Sequence, residues 1–279
     1  MQDVTDVHSQ SVCYRHPDRP TGLSCAHCGR PICTACSIDS AVGQRCPECL
    51  RTEGAQKVVR ARDITRRPTF SSAPVTYTIV ATASAIQLLY WIARPLWDGL
   101  FTAMAMWPPG VAGGEWWRMI SVVLLHAGLI HVGFNMLITY QLGPQIEREL
   151  GGWSFAALFL ATAAAGSAFA FWFGPDAAGV GASGAVFGLV GTWLASALRR
   201  RGTNAGRTVL RQLGGLLVLN AAVPFILPNV AWEAHLGGLI GGVAVGWLWT
   251  SKPVRTNAAA RVAVALAVLA LSIIPTQIL

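Results

Sequence analysis

Apolar residues along this chain are grouped into seven segments, all of them after residue 74. Each segment is long enough, at about 17 residues or more, for an α-helix to cross the hydrocarbon core of a membrane. The segments are residues 75–92, 129–146, 153–173, 177–198, 209–227, 230–250 and 262–278. The pattern therefore predicts seven membrane-spanning helices, of which the fifth is interrupted by Pro224.

The stretch between the first two segments, residues 93–125, is apolar but broken. It contains Pro108-Pro109-Gly110, and Gly113 and Gly114 follow shortly after. Such a stretch is unsuitable for a spanning helix and too apolar for a loop in water. We expect it to lie in the membrane interface, with its tryptophans at the depth of the headgroups.

Composition supports a polytopic membrane protein and divides the chain into four parts. The 279 residues are 53% hydrophobic and 12% charged, and the mean hydropathy is +0.48, values unusual for a soluble domain. All seven cysteines precede residue 50. We therefore predict a Cys-rich domain at 1–50, a basic juxtamembrane linker at 51–74, a six-helix membrane core at 75–250 and a seventh transmembrane helix within 251–279.

The Cys-rich domain contains four ligand pairs, each with two residues between its members. The pairs are Cys13 and His16, Cys25 and Cys28, Cys33 and Cys36, and Cys46 and Cys49. Two such pairs complete a tetrahedral zinc site, so eight ligands predict two structural zinc ions. A disulfide-linked domain is disfavoured by the odd number of cysteines and by the expected cytosolic location.

The pairing of these units has two solutions. Interleaved pairing, first with third and second with fourth, gives a cross-braced fold, whereas sequential pairing gives two separate knuckles. The short gap between Cys28 and Cys33 favours interleaving. His8 and His27 are left over, and we interpret both as exposed polar residues. The spacing over Cys13 to Cys49 resembles that of the B-box family, which implies a binding or scaffolding role.

Charge predicts the orientation in the membrane. The first thirty residues show no signal peptide, so we place the amino terminus in the cytosol. Seven crossings then leave only Arg94 and Arg118 outside and the other 19 of 21 basic residues inside, as the positive-inside rule requires. The carboxy terminus is accordingly expected outside the cytoplasm. The basic linker is explained as a topology determinant, and a contact with lipid headgroups is a further possibility.

Polar residues of three segments are expected at one depth. The second, fourth and sixth segments all start at the outer surface and carry His131 and Asn135, Ser183, and His235, each a few residues from that surface. Alone, Ser183 between glycines is best explained by helix packing, and a lone His or Asn by a structural role. The presence of all four polar residues at one depth in the membrane favours a functional site.

The coincidence predicts a Ser-His dyad. His235 is the candidate base for Ser183; Glu233, two residues earlier on a helix, faces away and gives no triad. His131 and Asn135 are four residues apart on one helix face. They are therefore candidate donors to an oxyanion, together with the N–H of Ser183. Gly238 and Gly242 lie on the face of His235 and allow another span, the fourth in our interpretation, to approach closely.

These motifs resemble the rhomboid family of intramembrane serine proteases over about residues 75–250. The resemblance rests on several short motifs. They are Gly181-Ala182-Ser183-Gly184, His126 with His131 and Asn135, Ala234-His235 with Gly238 and Gly242, Trp117-Arg118, and Glu147 between Gly143 and Gly151.

The resemblance implies cleavage of single-span membrane proteins within or beside their transmembrane helix. It implies that Ser183 is the nucleophile, His235 the base, and His131 and Asn135 part of the oxyanion hole, with His126 holding that region or its water. It further implies that an aromatic residue, here Phe187, stacks under the catalytic histidine, and that the fifth span is a lateral gate. The seventh span is an addition to the six-helix core.

Two alternatives to a protease remain. A rhomboid-like protein without a working dyad binds and escorts membrane clients, and an adaptor uses the zinc domain to recruit a cytosolic protein partner. We expect the lipid bilayer and single-span proteins as partners, no nucleic acid, and zinc as a structural cofactor that takes no part in catalysis.

Overall fold

The computed structural model describes residues 11–40, 43–52, 70–174, 178–226 and 230–278. The chain divides into two compact units, Met1–Arg67 and Pro68–Leu279. Most of the basic linker predicted at 51–74 lies outside the described residues, as do His8 and Leu227.

The first unit is built from two small hairpins and one short helix. Strand β1 (Val12–Cys13) pairs with β2 (His16–Pro20), and β3 (Ile38–Ser40) pairs with β4 (Gly43–Arg45), both antiparallel. Helix α1 (Pro47–Thr52) follows β4. The buried apolar cluster of this unit consists of cysteines and Ile32. So small a core does not stabilise a fold by hydrophobic burial alone, which is the situation in which a structural metal is used.

The second unit is helical. Its long helices are α2 (Pro74–Ile92), α6 (Leu129–Leu150), α7 (Gly152–Phe173), α8 (Ser183–Arg199), α9 (Asn204–Ile226), α10 (Trp232–Trp249) and α12 (Ala258–Ile273). The shorter ones are α3 (Arg94–Met104), α4 (Pro108–Ala112), α5 (Arg118–Ser121) and α11 (Lys252–Arg255). All seven predicted helices are present, each with its boundaries shifted by a few residues.

Two predicted elements differ from the structure. The stretch 93–125, expected as an interfacial loop, contains α3, α4 and α5 and a 3-10 turn, Val122–Leu124. The fourth helix was expected to begin near residue 177, but α8 begins at Ser183. Residues 179–181 cannot be helical because Gly179 pairs with Met106 in an extended bridge and Gly181 has a φ of 131°.

Among the residues that the structure describes, three helices are long and apolar enough to cross a membrane by length and composition: Pro74–Ile92, Gly152–Phe173 and Ala258–Gln277. A bent pair, Arg118–Leu124 with Leu129–Leu150, makes up to four. Helix α8 has 17 residues, and α10 carries Glu233, His235 and several glycines. Both helices pack against each other and against the helix Gly152–Phe173. Their crossing of the membrane remains a prediction.

Helix α7 is the centre of the helical unit. It packs against α8, α10 and α12, and 72% of its most apolar window is buried, compared with 17% for α2 and 11% for α12. Small residues fill much of its buried surface, including Ala161, Ala164 and Gly166. A helix that is apolar all round is one that other protein elements surround. Helices α2 and α12 lie at the periphery of the unit, with most of their apolar surface uncovered by other elements.

The closest helix approach is that of α8 and α10. A side-chain carbon at Gly238 would collide with the carbonyl of Gly184, and one at Gly242 with the carbonyl of Gly188. The prediction that the glycines of the sixth span admit the fourth is confirmed. This contact brings the first turns of the two helices together, and those turns carry Ser183 and His235.

Helix α2 is attached to the end of α6 by a buried carboxylate. Glu147 accepts hydrogen bonds from the N–H groups of Val75 (2.9 Å) and Thr76 (2.8 Å) and from the Thr76 hydroxyl (2.7 Å). The first N–H groups of a helix have no partner inside it, and a negative charge is favourable there. Glu147 therefore caps α2 from a distant part of the sequence.

Helix α12 is attached to the same end of the helical unit. Arg261 is 9% exposed and donates to the carbonyls of Leu150 (3.0 Å) and Arg255 and to the Ser154 hydroxyl (3.2 Å). Two of these partners lie at the junction of α6 and α7, so α12 is fixed to the core through a buried guanidinium.

Candidate active site

Ser183 is the first residue of α8, directly after the extended segment 178–182. That segment is held at three points, two of them through backbone partners and one, at Ala182, through His126. Gly179 exchanges two backbone hydrogen bonds with Met106 (2.8 and 3.0 Å), and the N–H of Gly181 donates to the carbonyl of Val122 (3.3 Å). A residue other than glycine would be strained at the positive φ of Gly181. We call residues 178–182 the nucleophile loop.

The start of α8 leaves hydrogen-bond donors available beside Ser183. The first helical bond at this end joins the N–H of Val186 to the carbonyl of Ala182 (2.9 Å). Earlier N–H groups of a helix have no carbonyl to bond inside it. Among the described hydrogen bonds, none uses the N–H of Ser183, so this group is free to stabilise a negative oxygen near the serine side chain.

The ring of His131 lies on the nucleophile loop. A side-chain carbon built at Gly181 would lie 2.8 Å from Nε2 of His131 and 3.8 Å from Oγ of Ser183. The ring nitrogen and the serine oxygen therefore both lie next to the same face of Gly181. On the other side of the ring, Nδ1 accepts from the N–H of Ala127 (3.4 Å). A neutral imidazole that accepts at Nδ1 carries its proton on Nε2. The donor therefore faces the loop.

Asn135 and His126 have fixed positions next to this ring. Asn135 donates through Nδ2 to the carbonyl of His131 (2.9 Å), which occupies one of its two amide hydrogens. His126 is fully buried, and its Nε2 accepts from the N–H of Ala182 (3.4 Å). The rings of His126 and His131 meet edge to face with centroids 5.1 Å apart. His126 thus contacts the nucleophile loop directly.

His235 lies in the first turn of α10, stacked on Phe187 of α8. The two rings are nearly parallel, with an interplanar angle of 11° and centroids 4.5 Å apart. The structure contains no hydrogen bond between Ser183 and His235 among the described residues. Such contacts are often longer in free enzymes than during reaction. Glu233 is buried in the same turn and makes no described hydrogen bond to His235.

A small cavity of about 50 Å³ opens beside Ser183. Its walls come from the interfacial stretch, the nucleophile loop and helices α7 and α10, and most lining residues are small or apolar. They include Met106, Val122, Ala163, Ser167, Ala170 and Ala234. A cavity of this size is large enough for one small side chain.

The eight predicted metal ligands form two clusters in the first unit. One contains Cys13, His16, Cys33 and Cys36, and the other contains Cys25, Cys28, Cys46 and Cys49. In each cluster the ligand atoms lie within 4.8 Å of one another. The interleaved pairing is thereby confirmed, and sequential pairing is wrong. His27 belongs to neither cluster.

The geometry of both clusters fits a tetrahedral metal ion. Nδ1 of His16 lies 3.5 Å from Sγ of Cys33 and 3.3 Å from Sγ of Cys36. In the second cluster, Sγ of Cys28 and Cys46 are 3.9 Å apart. Ligands at zinc distances on tetrahedral corners are separated by about 3.5 to 3.8 Å. Three cysteines with one histidine, and four cysteines, are also donor sets that zinc commonly takes in structural sites.

The thiols of these clusters ionise unequally. Burial raises the pKa of Cys36 to about 11, and it opposes ionisation of Cys13 as well. For Cys13, however, backbone N–H donors of Cys33, Arg15 and His16, together with the His16 ring, outweigh burial and lower the pKa to about 6. Arg30 donates to Sγ of Cys28 (3.3 Å) and lowers the pKa of that thiol. A bound divalent cation would favour the thiolate form of every ligand.

Some functional features left no signal in the sequence. The bridge between Met106 and Gly179 and the donation from Gly181 to Val122 join residues more than fifty positions apart, and neither pair has a motif. Arg30 was not singled out, although it pairs with Glu48 (2.7 Å) and stacks on Tyr14 (4.6 Å) beside the second cluster. Its position between Cys28 and Cys33 was the only available indication.

Comparison with known proteins places the chain in a family. A family model described as "Rhomboid domain" matches residues 113–252. The putative rhomboid protease YdcA of Bacillus subtilis is 34% identical over 187 residues, which are 64% of this chain and 92% of that protein.

Two further relatives match over shorter parts of their length. The rhomboid protease GluP of Bacillus subtilis is 37% identical over 47% of this chain and 26% of its own. RHOMBOID-like protein 1 of Arabidopsis thaliana is 36% identical over a region that covers 50% of this chain and 36% of that protein. The matched region contains the nucleophile loop and helices α8 and α10. This chain is a multi-pass membrane protein that belongs to the rhomboid family.

Proposed function

We propose that this protein is an intramembrane serine endopeptidase that cleaves single-span membrane proteins within or next to their transmembrane segment. The observation that carries the proposal is the meeting of three features at the start of α8. These are Ser183 with a free N–H, the Nε2 side of His131, and His235 stacked one helical turn away on Phe187. Three separate helices supply them, and together they offer a candidate nucleophile, its candidate base and oxyanion donors.

In the proposed reaction, His235 accepts the proton of Ser183 as Oγ attacks the carbonyl carbon of the scissile peptide bond. The protonated His235 then gives that proton to the leaving amine. Water next attacks the acyl-enzyme, with His235 again as base, and regenerates Ser183. No acidic residue is assigned to orient His235, and stacking on Phe187 takes that role.

The negative oxygen of the tetrahedral intermediates would be stabilised by three donors. These are the N–H of Ser183, the Nε2–H of His131 and the second amide hydrogen of Asn135. Loss of one such donor in a serine protease costs about 10² to 10³ in kcat. His126 contributes indirectly, because it holds the N–H of Ala182 and so the backbone immediately before the nucleophile.

The zinc domain is proposed to bind two zinc ions with a purely structural role in the first unit. Zinc there supplies folding energy to a unit whose core is mostly cysteine. We further propose that this domain lies in the cytoplasm and binds a protein partner, and that the chain ends outside the cytoplasm. The positive-inside charge distribution supports this orientation.

The decisive experiment is cleavage of a fluorescent single-span substrate by the purified protein in liposomes. We expect Ser183→Ala and His235→Ala each to lower kcat by at least about 10³-fold. The matched control is Ser196→Ala, a serine on the same helix, whose hydroxyl accepts only from the exposed Arg200 (2.8 Å). Undiminished cleavage by Ser183→Ala would exclude the proposed nucleophile.

The competing function is client binding without cleavage. It would appear as equal retention of a single-span protein by the wild type and by Ser183→Ala, with no product from either. The free N–H of Ser183 and the orientation of His131 favour catalysis over this alternative, because a binding protein has no need of a donor aimed beside a serine.

A further inference from the structure

The turn that follows α12 is hydrogen-bonded to the interfacial stretch. This turn, Ile274–Gln277, carries Gln277, whose Nε2 donates to the carbonyl of Val111 in α4 (3.0 Å) and to the Thr276 hydroxyl (2.9 Å). Thr276 is fully buried and donates in turn to the carbonyl of Ile273 (2.7 Å). A polar chain thus runs from α12 through Thr276 and Gln277 to α4. We call this pair the α12 clasp.

The interfacial stretch held by the α12 clasp is the one that holds the nucleophile loop. Met119 is fully buried, its sulfur lies 3.6 Å from Oγ of Thr276, and its carbonyl accepts from Ser167 of α7 (2.9 Å). Three residues later, the carbonyl of Val122 accepts from the N–H of Gly181. One continuous piece of backbone, residues 111–122, therefore connects the clasp to the nucleophile loop that precedes Ser183.

That piece of backbone needs external support. Helices α4 and α5 have five and four residues, and helices so short are unstable in isolation. On one side, Arg118 supports them by donating to the carbonyls of Thr102 (2.7 Å) and Ala105 (3.0 Å). On the side of α12, the described hydrogen bonds to α4 and α5 come from Gln277, to the carbonyl of Val111, and from Thr276, to the sulfur of Met119.

The other end of α12 is fixed as well. Arg261 ties it to the carbonyl of Leu150 and the hydroxyl of Ser154, at the junction of α6 and α7. Helix α12 packs along α7 between these two attachments. A helix fixed at both ends holds a constant distance between them. Helix α12 therefore fixes the position of α4 relative to α7 and to α6, and α6 carries His131 and Asn135.

We infer that Thr276 and Gln277 are positioning residues for the nucleophile loop. By holding Val111 and Met119, they hold Val122 and hence the backbone of Gly181 from which Ser183 begins. The inference deepens the proposed protease function and rests on it. It assigns the seventh helix a role in catalysis in addition to anchoring the chain.

The test uses pairs of variants in the full-length protein. Gln277→Met keeps the length of the side chain and removes the donor, and Thr276→Val removes the hydroxyl that Thr276→Ser retains. Ser272→Ala is the matched control on the same helix, because the Ser272 hydroxyl bonds only to its own helix, at the carbonyl of Val268 (2.8 Å). Active sites are titrated with a fluorophosphonate, so that kcat is expressed per competent serine.

We expect Gln277→Met and Thr276→Val to lower kcat per titrated site about tenfold, with KM within about twofold, as loss of one well-formed hydrogen bond implies. Thr276→Ser and Ser272→Ala should keep the wild-type kcat. If thermal stability falls in the two disruptive variants while kcat per titrated site stays constant, the clasp is only structural and the inference is wrong.

A second measurement does not depend on proteolysis. Backbone hydrogen exchange of the segment that contains Gly181 should become about tenfold faster in Gln277→Met, and unchanged exchange would also refute the inference. A wild-type protein that fails to cleave any substrate would contradict the proposed function instead. The exchange result would still decide whether the clasp holds the loop.

Discussion

The imidazole of His235 lies flat on the ring of Phe187, with centroids 4.5 Å apart and an angle of 11° between the planes. Phe187 is four residues after Ser183 on α8, so the same helix that presents the serine also supports the histidine. Stacking restricts rotation of the imidazole without adding a charge. In the proposed mechanism, this contact takes the place of the carboxylate that orients the histidine in a Ser-His-Asp triad.

Removal of the stacking ring should impair catalysis more than binding. An aromatic pair contributes about 0.5 to 1.5 kcal/mol beyond its buried area, which corresponds to roughly two- to tenfold in rate. We expect Phe187→Leu to lower kcat by about that factor with little change in KM, and Phe187→Tyr to retain most of the activity. Steady-state kinetics on a liposome-reconstituted substrate would measure both. Equal kcat in the leucine variant and the wild type would mean that packing of α10 alone orients His235.

The cavity beside Ser183 should select small side chains in the substrate. With a volume of about 50 Å³ and walls of valine, alanine and methionine, it suits a small side chain next to the cleaved bond better than an aromatic ring. We expect kcat/KM to fall at least about tenfold when alanine before the scissile bond is replaced by phenylalanine, since overpacking costs about 1 to 3 kcal/mol.

The same cavity offers a reciprocal test. Met106→Ala enlarges it without changing the backbone pairing of Met106 with Gly179, so cleavage after larger residues should increase relative to cleavage after alanine. Mass spectrometry of the products from a substrate library would measure the preference. If the preference is the same in Met106→Ala and the wild type, a different surface of the protein selects the substrate side chain before the scissile bond.

The carboxylate of Glu147 should matter for stability. It accepts three hydrogen bonds from the first turn of α2 and is 3% exposed. Replacement by alanine leaves buried N–H groups without a partner, at about 1 to 3 kcal/mol. We expect Glu147→Ala to lower the free energy of unfolding by roughly 2 kcal/mol or more, with Glu147→Gln intermediate.

The control for this prediction is two residues away. Glu149→Ala changes an exposed carboxylate on the same helix end and should leave stability within about 0.5 kcal/mol of the wild type. The unfolding midpoint in a denaturing detergent, followed by circular dichroism, would compare the variants. Equal midpoints for Glu147→Ala and Glu149→Ala would show that solvent or lipid groups replace the cap.

Local features of the sequence predicted much of this arrangement. Successive apolar segments cross in alternating directions, and this alternation predicted that His131, Asn135, Ser183 and His235 lie at one end of the helical unit. The cysteine spacing favoured the interleaved clusters. Both inferences rest on short-range periodicity. The start of α8 at Ser183 could not be predicted in this way, because the segment before it is as apolar as a helix and is extended only through its pairing with Met106.

The contacts that the sequence did not reveal share a physical cause. Backbone carbonyls such as those of Val111 and Val122 accept hydrogen bonds whatever their side chains, so no residue type marks them. Likewise, the donor side of His131 follows from the N–H of Ala127 at Nδ1, which depends on the local backbone path. Positions of this kind are determined by tertiary contacts and are visible only in the folded chain.

The cross-braced arrangement of the zinc domain predicts all-or-none loss of its fold. Cys13 and His16 share a cluster with Cys33 and Cys36. In the sequence, the first ligand pair of the second cluster lies between these two pairs. Removal of either ion therefore releases segments that both clusters need. We expect about two zinc ions per chain, and we expect either Cys36→Ser or Cys49→Ser to make residues 11–52 sensitive to protease throughout.

Sequential knuckles would respond differently, since loss of one would leave the other protected. Zinc content by mass spectrometry and limited proteolysis distinguish the two outcomes. His27→Gln is the matched control: His27 lies between Cys25 and Cys28 but outside both clusters, so zinc content should stay at the wild-type value. A chelator should reproduce the effect of the cysteine variants, because folding and metal binding are one equilibrium in such domains. A fragment that stays protected after Cys49→Ser would show that the first cluster folds on its own.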